Sequence, residues 1–192
     1  MESKTATKIL DVAQDIVRNR GYSAFSYADI AEEVGIRKAS IHYHFASKDN
    51  LVRSLVKRYR KNMGRDCAWI AASSTRFDVQ LMQFTGLYRH GLDKNQICLC
   101  AMLSADFAVL PEATQAEIQL FFQEAEAWLV ELLQKGCNAG LWECSSSVQV
   151  EAKGLIALLQ GAQLIARSSN NPFETFDQII EPLLGAKFSM EF

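Results

Sequence analysis

The sequence predicts an all-α fold of about nine helices, and three observations favour it. Apolar residues recur at spacings of three and four through most of the 192 residues. Residues that typically begin or end helices separate these stretches. Only 3 prolines occur, and β-branched runs bounded by turns are few, which argues against a β-sandwich or a β-barrel.

The first predicted helix spans residues 4–20, and Gly21 follows it as a left-handed C-cap. Ser26 is expected to cap a short second helix, because a serine oxygen can accept a hydrogen bond from a free N–H of the first turn. Gly35 ends that helix after about two turns, and a third short helix begins near Lys38. Two short helices joined by a glycine turn are typical of a helix-turn-helix.

The third helix is expected to have an apolar side and a polar side. Ile41 and Phe45 are four residues apart and therefore share a face, which we expect to point into a small three-helix core. Ala39, His42 and Tyr43 lie away from that face. The helix therefore presents small and polar side chains outward.

The rest of the chain is also predicted to be helical. Ser47 caps a fourth helix, which runs to about residue 66 or beyond and links the two halves of the chain. Further helices are expected near residues 76–91, 95–109, 113–139, 147–168 and 173–185. Pro182 should kink or end the last of them, because proline has no N–H for the helical ladder.

The charge is unevenly distributed along the chain. Residues 1–62 contain 12 Lys and Arg and 7 Asp and Glu, a net charge of +5. Residues 63–192 contain 8 Lys and Arg and 15 Asp and Glu, a net charge of −7. A basic first third beside an acidic remainder is typical of a protein that meets nucleic acid at one end. Ordinary solvated surfaces of unequal charge remain the alternative.

Targeting and redox signals point to the cytoplasm. The first residues lack the apolar core of a signal peptide, and no 18-residue apolar stretch is present. Five cysteines, an odd number, do not suggest a small secreted disulfide framework. We therefore expect a protein without a transmembrane helix in a reducing compartment.

The combined spacing of residues 9–51 is far more specific than a helix-turn-helix pattern alone. The residues concerned are Ile9, Leu10, Ala13, Gly21, Tyr22, Ile30, Ala31, Val34, Gly35, Ile36, the run Lys38-Ala39-Ser40-Ile41-His42-Tyr43-His44-Phe45, Lys48 and Leu51. This set closely resembles the DNA-binding domain of the TetR family of bacterial transcription regulators. The resemblance implies a homodimer that binds a palindromic operator, and repression that a small-molecule effector relieves. Many relatives have tyrosine where this chain has His42.

The resemblance divides the chain by function. It implies a DNA-binding domain at residues 1–48, a linking helix at 48–66, and an effector-binding and dimerisation domain at 67–192. The candidate DNA contacts are Tyr27, Arg37, Lys38, Ala39, Ser40, His42, Tyr43 and Lys48. Arg37, Ser40 and His42 can hydrogen-bond to bases or phosphates, and Lys48 lies at a helix start, where an ammonium and the helix end can hold one phosphate together.

The C-terminal domain contains candidates for an effector pocket and a dimer surface. By analogy with the family, the pocket residues are Trp69, Phe84, Tyr88, Cys98, Met102, Phe107, Phe121 and Trp128, and for each of them ordinary core packing is the alternative. The helix around residues 155–165 is apolar on nearly all sides, and apolar residues continue at 179–184, which favours a helical dimer interface in residues 155–184 over burial within one subunit. The candidates for it are Leu155, Leu158, Leu159, Ala162, Ile165, Ile179 and Leu183.

Three alternatives to an effector-released repressor remain. Cys98 and Cys100 invite a redox-sensing or electrophile-sensing regulator of the same fold, although cysteines two apart on a helix point to opposite sides. A helical enzyme is disfavoured, because no Gly-rich phosphate loop and no metal-spaced Cys/His set occurs, and we expect no cofactor. His42 and His44 are about 200° apart on a helix and cannot share a metal ion. The third alternative is an adaptor whose helix-turn-helix serves only packing.

Overall fold

The computed structural model describes residues 3–188, and this range contains nine α-helices and no β-strand. Their bounds are α1 Lys4–Arg20, α2 Tyr27–Val34, α3 Lys38–His44, α4 Lys48–Ser73, α5 Phe77–Arg89, α6 Leu99–Ala105, α7 Glu112–Asn138, α8 Val148–Arg167 and α9 Pro172–Gly185. The predicted all-α fold is confirmed. Within the described range, none of these helices is both long enough and apolar enough to cross a membrane.

The segment at residues 95–109 departs from the prediction of one continuous helix. The structure has the short helix α6 followed by a 3₁₀ turn at Phe107–Val109. Asn95 adopts a left-handed conformation with φ of 57°, which a continuing right-handed helix does not allow, so α6 begins four residues later. Apolar periodicity does not reveal such a backbone break.

Pro182 lies inside α9 and does not end it. The helix continues for three more residues to Gly185, and the N–H of Ala186 donates to the Pro182 carbonyl at 3.0 Å. Because Pro182 lies in the last turn, only one helical hydrogen bond is lost to its missing N–H.

The chain packs as two compact units. Unit 1 comprises the chain up to Asn62 together with Cys98–Phe121, and unit 2 comprises Met63–Ile97 together with the chain from Phe122 onward. The core of unit 1 contains side chains from α1, α2, α3 and α4 that are inaccessible to solvent, among them Ile9, Leu10, Ile30, Ile41, Leu51 and Leu55. Residues 98–121 thus pack with the N-terminal helices. The division by function at residues 48 and 67 stays a prediction.

Unit 2 has an aromatic core and several polar links between its helices. Phe84 of α5 stacks on Trp128 of α7, with ring centroids 5.0 Å apart and planes inclined by 19°. The Arg89 guanidinium donates two hydrogen bonds to the Asp177 carboxylate, both of 2.7 Å, which joins α5 to α9. The paired geometry of this contact fixes the orientation of both side chains.

Gly136 of α7 is a position at which one added methyl group is expected to destabilise the protein. A Cβ there would lie 2.5 Å from Cε2 of Phe77, whose ring is buried. We expect Gly136→Ala to lower the free energy of unfolding by about 1–3 kcal/mol, the usual cost of overpacking a core. Urea unfolding followed by circular dichroism measures this change.

Gly64 of α4 provides the matched control. It is also a helical glycine, but an added Cβ would meet nothing within 4 Å. Gly64→Ala should leave stability unchanged or raise it by up to about 1 kcal/mol, because alanine has fewer unfolded conformations and a higher helix propensity. Equal unfolding midpoints for the two variants would contradict the assigned contact between Gly136 and Phe77.

Candidate nucleic-acid interface

The second helix is held at both ends by the residues that the sequence singles out. The Ser26 N–H donates to the Asp29 carboxylate at 2.6 Å, and the Ser26 hydroxyl oxygen accepts from the Ala28 N–H at 3.2 Å. Hydrogen bonds from Ser26 lower the pKa of the Asp29 carboxyl. Gly35 adopts the left-handed conformation with φ of 75°, and its N–H donates to the Ala31 carbonyl at 3.0 Å. The turn into α3 therefore begins at a fixed point.

The third helix has the two sides that its spacing predicts. Ile41 is inaccessible to solvent and Phe45, which follows the helix, is buried. Lys38, Ala39 and His42 are exposed, and so is Tyr43, with 86% of its surface accessible. Such a helix can approach a nucleic-acid groove with its outer side while its inner side stays in the core.

The remaining candidates on α3 vary in their exposure. Arg37 is the N-cap residue of the helix and is exposed, whereas Ser40 is half-exposed. His44 is also half-exposed, and its ring meets that of Tyr43 edge-on at 5.1 Å. The exposed surface of α3 is thus formed mainly by Arg37, Lys38, Ala39, His42 and Tyr43.

Tyr27 lies behind α3, where it supports the helix. Its ring is buried, its hydroxyl donates to the Phe45 carbonyl at 2.9 Å, and burial raises the pKa of that hydroxyl to about 12. The ring centroid lies 4.7 Å from that of His42. The structure therefore does not place Tyr27 among the exposed candidates, because its hydroxyl already has a partner within the protein.

Lys48 is also engaged within the protein. Its ammonium donates to the Phe25 carbonyl at 2.7 Å and lies over the rings of Tyr22 and Phe25, 4.4 and 4.3 Å from their centroids. Burial lowers the pKa of this ammonium. A cation over aromatic faces gains electrostatic attraction. Lys48 thus ties the start of α4 to the loop before α2.

A shallow depression joins several of these residues. It has a volume of about 320 Å³ and is lined by Phe25, Ser26, Tyr27, Lys38, His42 and Lys48. Two amino groups, an imidazole and a serine hydroxyl therefore border one concave surface at the start of α2. These are groups that can donate hydrogen bonds to a phosphate oxygen.

Sequence analysis missed one charged cluster in unit 1. The Glu117 carboxylate of α7, with a side chain only 9% exposed, lies 3.4 Å from the Lys57 ammonium and 3.5 Å from the Arg60 guanidinium. The Arg53 guanidinium is 4.0 Å away. The spacing of the three cations places them on one face of α4. Their common partner lies far away in sequence, so only the fold reveals it.

The predicted effector-pocket residues fall in both units and differ in exposure. In unit 1, Cys98 and Phe121 are buried, whereas Met102 and Phe107 are half-exposed. In unit 2, Phe84 and Tyr88 are buried and Trp128 is half-exposed. Trp69 is the exception, since 63% of its surface is accessible to solvent.

Unit 2 contains a cleft that sequence reasoning did not find. It has a volume of about 660 Å³, lies between α5 and α9, and is lined by Met82, Thr85, Gly86, Arg89, Phe176, Asp177, Ile180, Glu181, Leu184, Gly185 and Phe188. None of the eight predicted pocket residues lines it. A cleft of this size can hold a small organic molecule.

The cysteines at the start of α6 are shielded from solvent. Cys98 and Cys100 are 2% and 0% exposed. Burial raises the pKa of the Cys100 thiol well above its ordinary value. A buried thiol with a raised pKa forms little of the thiolate that reacts with oxidants. This environment disfavours Cys100 as a sensor.

The structure shows which side of α8 is buried and which is exposed, a distinction that the sequence did not reveal. Leu155, Leu159 and Ala162 are buried within unit 2 of the single chain. On the other side, Leu164 and Ile165 are 57% and 58% exposed. On α9, Leu183 is 50% exposed, and Leu158 of α8 and Ile179 of α9 are half-exposed. The dimer candidates thus divide between the core and an exposed apolar surface.

Comparisons with known proteins agree with this arrangement. Residues 9–55 match the model of a family described as bacterial regulatory proteins, tetR family. Over the whole chain, the structure is similar to a transcriptional regulator of the TetR family from Agrobacterium tumefaciens. The TM-score is 0.90 and the sequence identity 33%, and the match covers 96% of this chain and 97% of that one.

Two curated relatives are negative transcriptional regulators of the biofilm operon icaADBC. The one from Staphylococcus epidermidis is 28% identical over 134 residues, which cover 67% of this chain and 66% of the relative. The one from Staphylococcus aureus is 42% identical over 50 residues, which cover 26% of this chain and 27% of the relative. The chain thus matches just under two thirds of the first relative and about a quarter of the second.

Proposed function

The chain belongs to the TetR family of transcriptional regulators, and from this premise we propose that it is a dimeric repressor which binds a palindromic operator through α3 and is released by a small-molecule effector. The observation that carries the proposal is the exposed small and polar surface of α3, backed by the buried side chains of Ile41 and Phe45. Such a helix fits a major groove.

The residues on α3 have different proposed roles at the DNA. Ala39 lets the helix come close to the base edges, because its side chain is a single methyl group. Arg37, Ser40 and His42 supply hydrogen bonds to bases or phosphates, and the Tyr43 hydroxyl meets a phosphate. Tyr27 and Lys48 act by positioning, since each donates a hydrogen bond to a carbonyl next to the helix-turn-helix. Residues 1–48 form the proposed DNA-binding domain.

Dimerisation is proposed through the exposed apolar side of α8 and α9. Leu164, Ile165 and Leu183 form this surface together with the half-exposed Leu158 and Ile179. Two copies of each helix would form a four-helix interface. In a helix-turn-helix dimer the two recognition helices enter successive major grooves, roughly 34–36 Å apart.

The proposed effector is a small organic molecule that binds within residues 67–192. The aromatic side chains of unit 2 and the cleft of about 660 Å³ support this choice. The effector would favour an arrangement in which the two recognition helices no longer match the operator spacing. The free energy that couples effector binding to a loss of operator affinity typically amounts to about 1–3 kcal/mol. The buried Cys98 and Cys100 support a bound effector over oxidation at α6.

One binding experiment tests the repressor proposal. Fluorescence anisotropy compares a duplex from the region upstream of the protein's own gene with a scrambled duplex of equal length, at one fixed salt concentration. We expect the natural duplex to bind at least about 10³-fold more tightly, because specific sites exceed non-specific ones by this margin or more. Equal affinities for the two duplexes would leave only salt-dependent phosphate attraction and would refute operator recognition.

A further inference from the structure

Two cysteines that lie outside the helix-turn-helix and do not line the cleft between α5 and α9 are joined to each other. Cys137, in the last turn of α7, forms a disulfide with Cys144, in the connection to α8, and their Cα atoms are 6.0 Å apart. We propose that Cys137 and Cys144 form a reversible thiol–disulfide site that peroxides oxidise and dithiols reduce. The proposal does not depend on DNA binding.

Solvent access distinguishes this pair from the other cysteines. Cys144 is exposed and Cys137 is half-exposed, whereas Cys67, Cys98 and Cys100 are buried. Burial also raises the pKa of the Cys67 thiol to about 12. Oxidants and thiols from solution therefore reach Cys144 first, and an exposed disulfide is the kind that small thiols reduce readily.

The segment between the two cysteines is held in place by contacts that do not involve sulfur. Trp142 is buried, and its ring meets those of Phe77 and Phe188 at 5.8 and 5.5 Å. The Glu143 N–H donates to the Lys187 carbonyl at 2.8 Å. These contacts should persist after reduction and keep the two thiols close enough to pair again.

The Lys187 ammonium links the residue that follows Cys144 to α8. It donates to the Ser145 hydroxyl at 2.8 Å and lies 3.2 Å from the Glu151 carboxylate. The disulfide therefore closes a connection whose other end is fixed at α8 and at the end of α9. Forming the bond removes conformations from the unfolded chain and should raise the melting temperature.

The oxidation proceeds in two balanced steps with hydrogen peroxide. The Cys144 thiolate attacks one peroxide oxygen, and the O–O bond breaks. The other oxygen takes up one proton and leaves as water, and Cys144 becomes a sulfenic acid. The Cys137 sulfur then attacks the Cys144 sulfur, the S–S bond forms, and the hydroxyl group leaves with the Cys137 proton as a second water. In total, two thiols and one peroxide give one disulfide and two waters.

The test uses the full chain, reduced with dithiothreitol and then treated with hydrogen peroxide. Denaturation, alkylation and intact mass count the free thiols. We expect all 5 cysteines to be alkylated after reduction and two fewer after oxidation, with dithiothreitol restoring the full number. Peptide mapping should place the bond between Cys137 and Cys144. The oxidised protein should melt about 4–8 °C higher than the reduced one, as expected for closing a short loop.

Single variants separate the pair from the other cysteines. Cys137→Ala and Cys144→Ser should each abolish the loss of two thiols and the shift in melting temperature. Cys67→Ala is the matched control. On oxidation it should still lose two free thiols and show the same shift in melting temperature. A bond mapped elsewhere or between two chains would overturn the proposal. So would oxidation of Cys144 to sulfinic acid with the Cys137 thiol intact, or equal melting temperatures for the two states of the wild-type chain.

Discussion

Replacement of Ile165 by aspartate is expected to convert the protein from a dimer to a monomer. Ile165 is 58% exposed on α8, next to Leu164, which is 57% exposed. In a two-fold symmetric interface each substitution occurs twice, so Ile165→Asp would bury two carboxylates that have no partner. Several kcal/mol are lost when such charges leave water.

A loss of about 4 kcal/mol corresponds to a dimer dissociation constant about 10³-fold higher. Sedimentation velocity over a range of micromolar concentrations measures it directly. The monomer should also bind the natural operator more weakly, because only one recognition helix then contacts the duplex. Circular dichroism should remain that of a folded helical protein, since Ile165 lies at the surface of the single chain.

Val109→Asp is the matched control for this experiment. Val109 is an aliphatic residue 68% exposed in the 3₁₀ turn of unit 1, away from α8 and α9 in the sequence. The same change of charge there should leave the dimer intact. A dimeric Ile165→Asp protein would place the interface elsewhere, and a monomeric Val109→Asp protein would point to the surface around the 3₁₀ turn.

The first three helices could be predicted closely from the sequence because their signals are local. Ser26, Gly21 and Gly35 fix where helices begin and end through hydrogen bonds and backbone conformations within a few residues. The two sides of α3 follow from the spacing of Ile41 and Phe45 alone. Local chemistry of this kind needs no knowledge of the rest of the fold.

The sides of α8 could not be predicted because the helix is apolar nearly all round. Leu159 and Ile165 have similar side chains, yet the structure buries the first within unit 2 and exposes the second. Which side faces the core depends on the position of α5 and α9. Hydrophobic periodicity carries no information about that choice when every side is apolar.

Contacts between distant parts of the sequence were also beyond sequence reasoning. Glu117 meets its cations on α4, an element far from it in the sequence. Lys48 illustrates a further limit. Its charge and its position at a helix start predict a phosphate contact, which stays a prediction, and the sequence did not reveal that the same ammonium donates to the Phe25 carbonyl and lies over the Phe25 ring. Charge alone does not reveal which partner is nearest.

Replacement of Ala39 by glutamate is expected to abolish operator recognition while leaving the fold intact. Ala39 is exposed on α3, so a larger side chain can extend into solvent. At the DNA, the added carboxylate would separate the helix from the base edges and repel the phosphates. Each lost base contact is worth about 1–3 kcal/mol, and a dimer carries the change twice. The affinity for the natural duplex should therefore fall at least about 30-fold.

Ala72→Glu distinguishes this effect from a general change of charge. Ala72 is an exposed helical alanine in the C-terminal part of α4, and the substitution alters net charge by the same amount. We expect it to bind the natural duplex nearly as tightly as the parent protein. Both variants should unfold within about 0.5 kcal/mol of the parent, as is usual for surface substitutions.

The comparison tests α3 as the recognition element. If Ala39→Glu loses more affinity for the natural duplex than for the scrambled one, the outer side of α3 reads sequence. Equal losses on both duplexes would mean that α3 lies against the phosphates without reading bases. Unchanged binding would remove α3 from the interface altogether, even though its exposed side carries the small and polar residues that a major groove accepts.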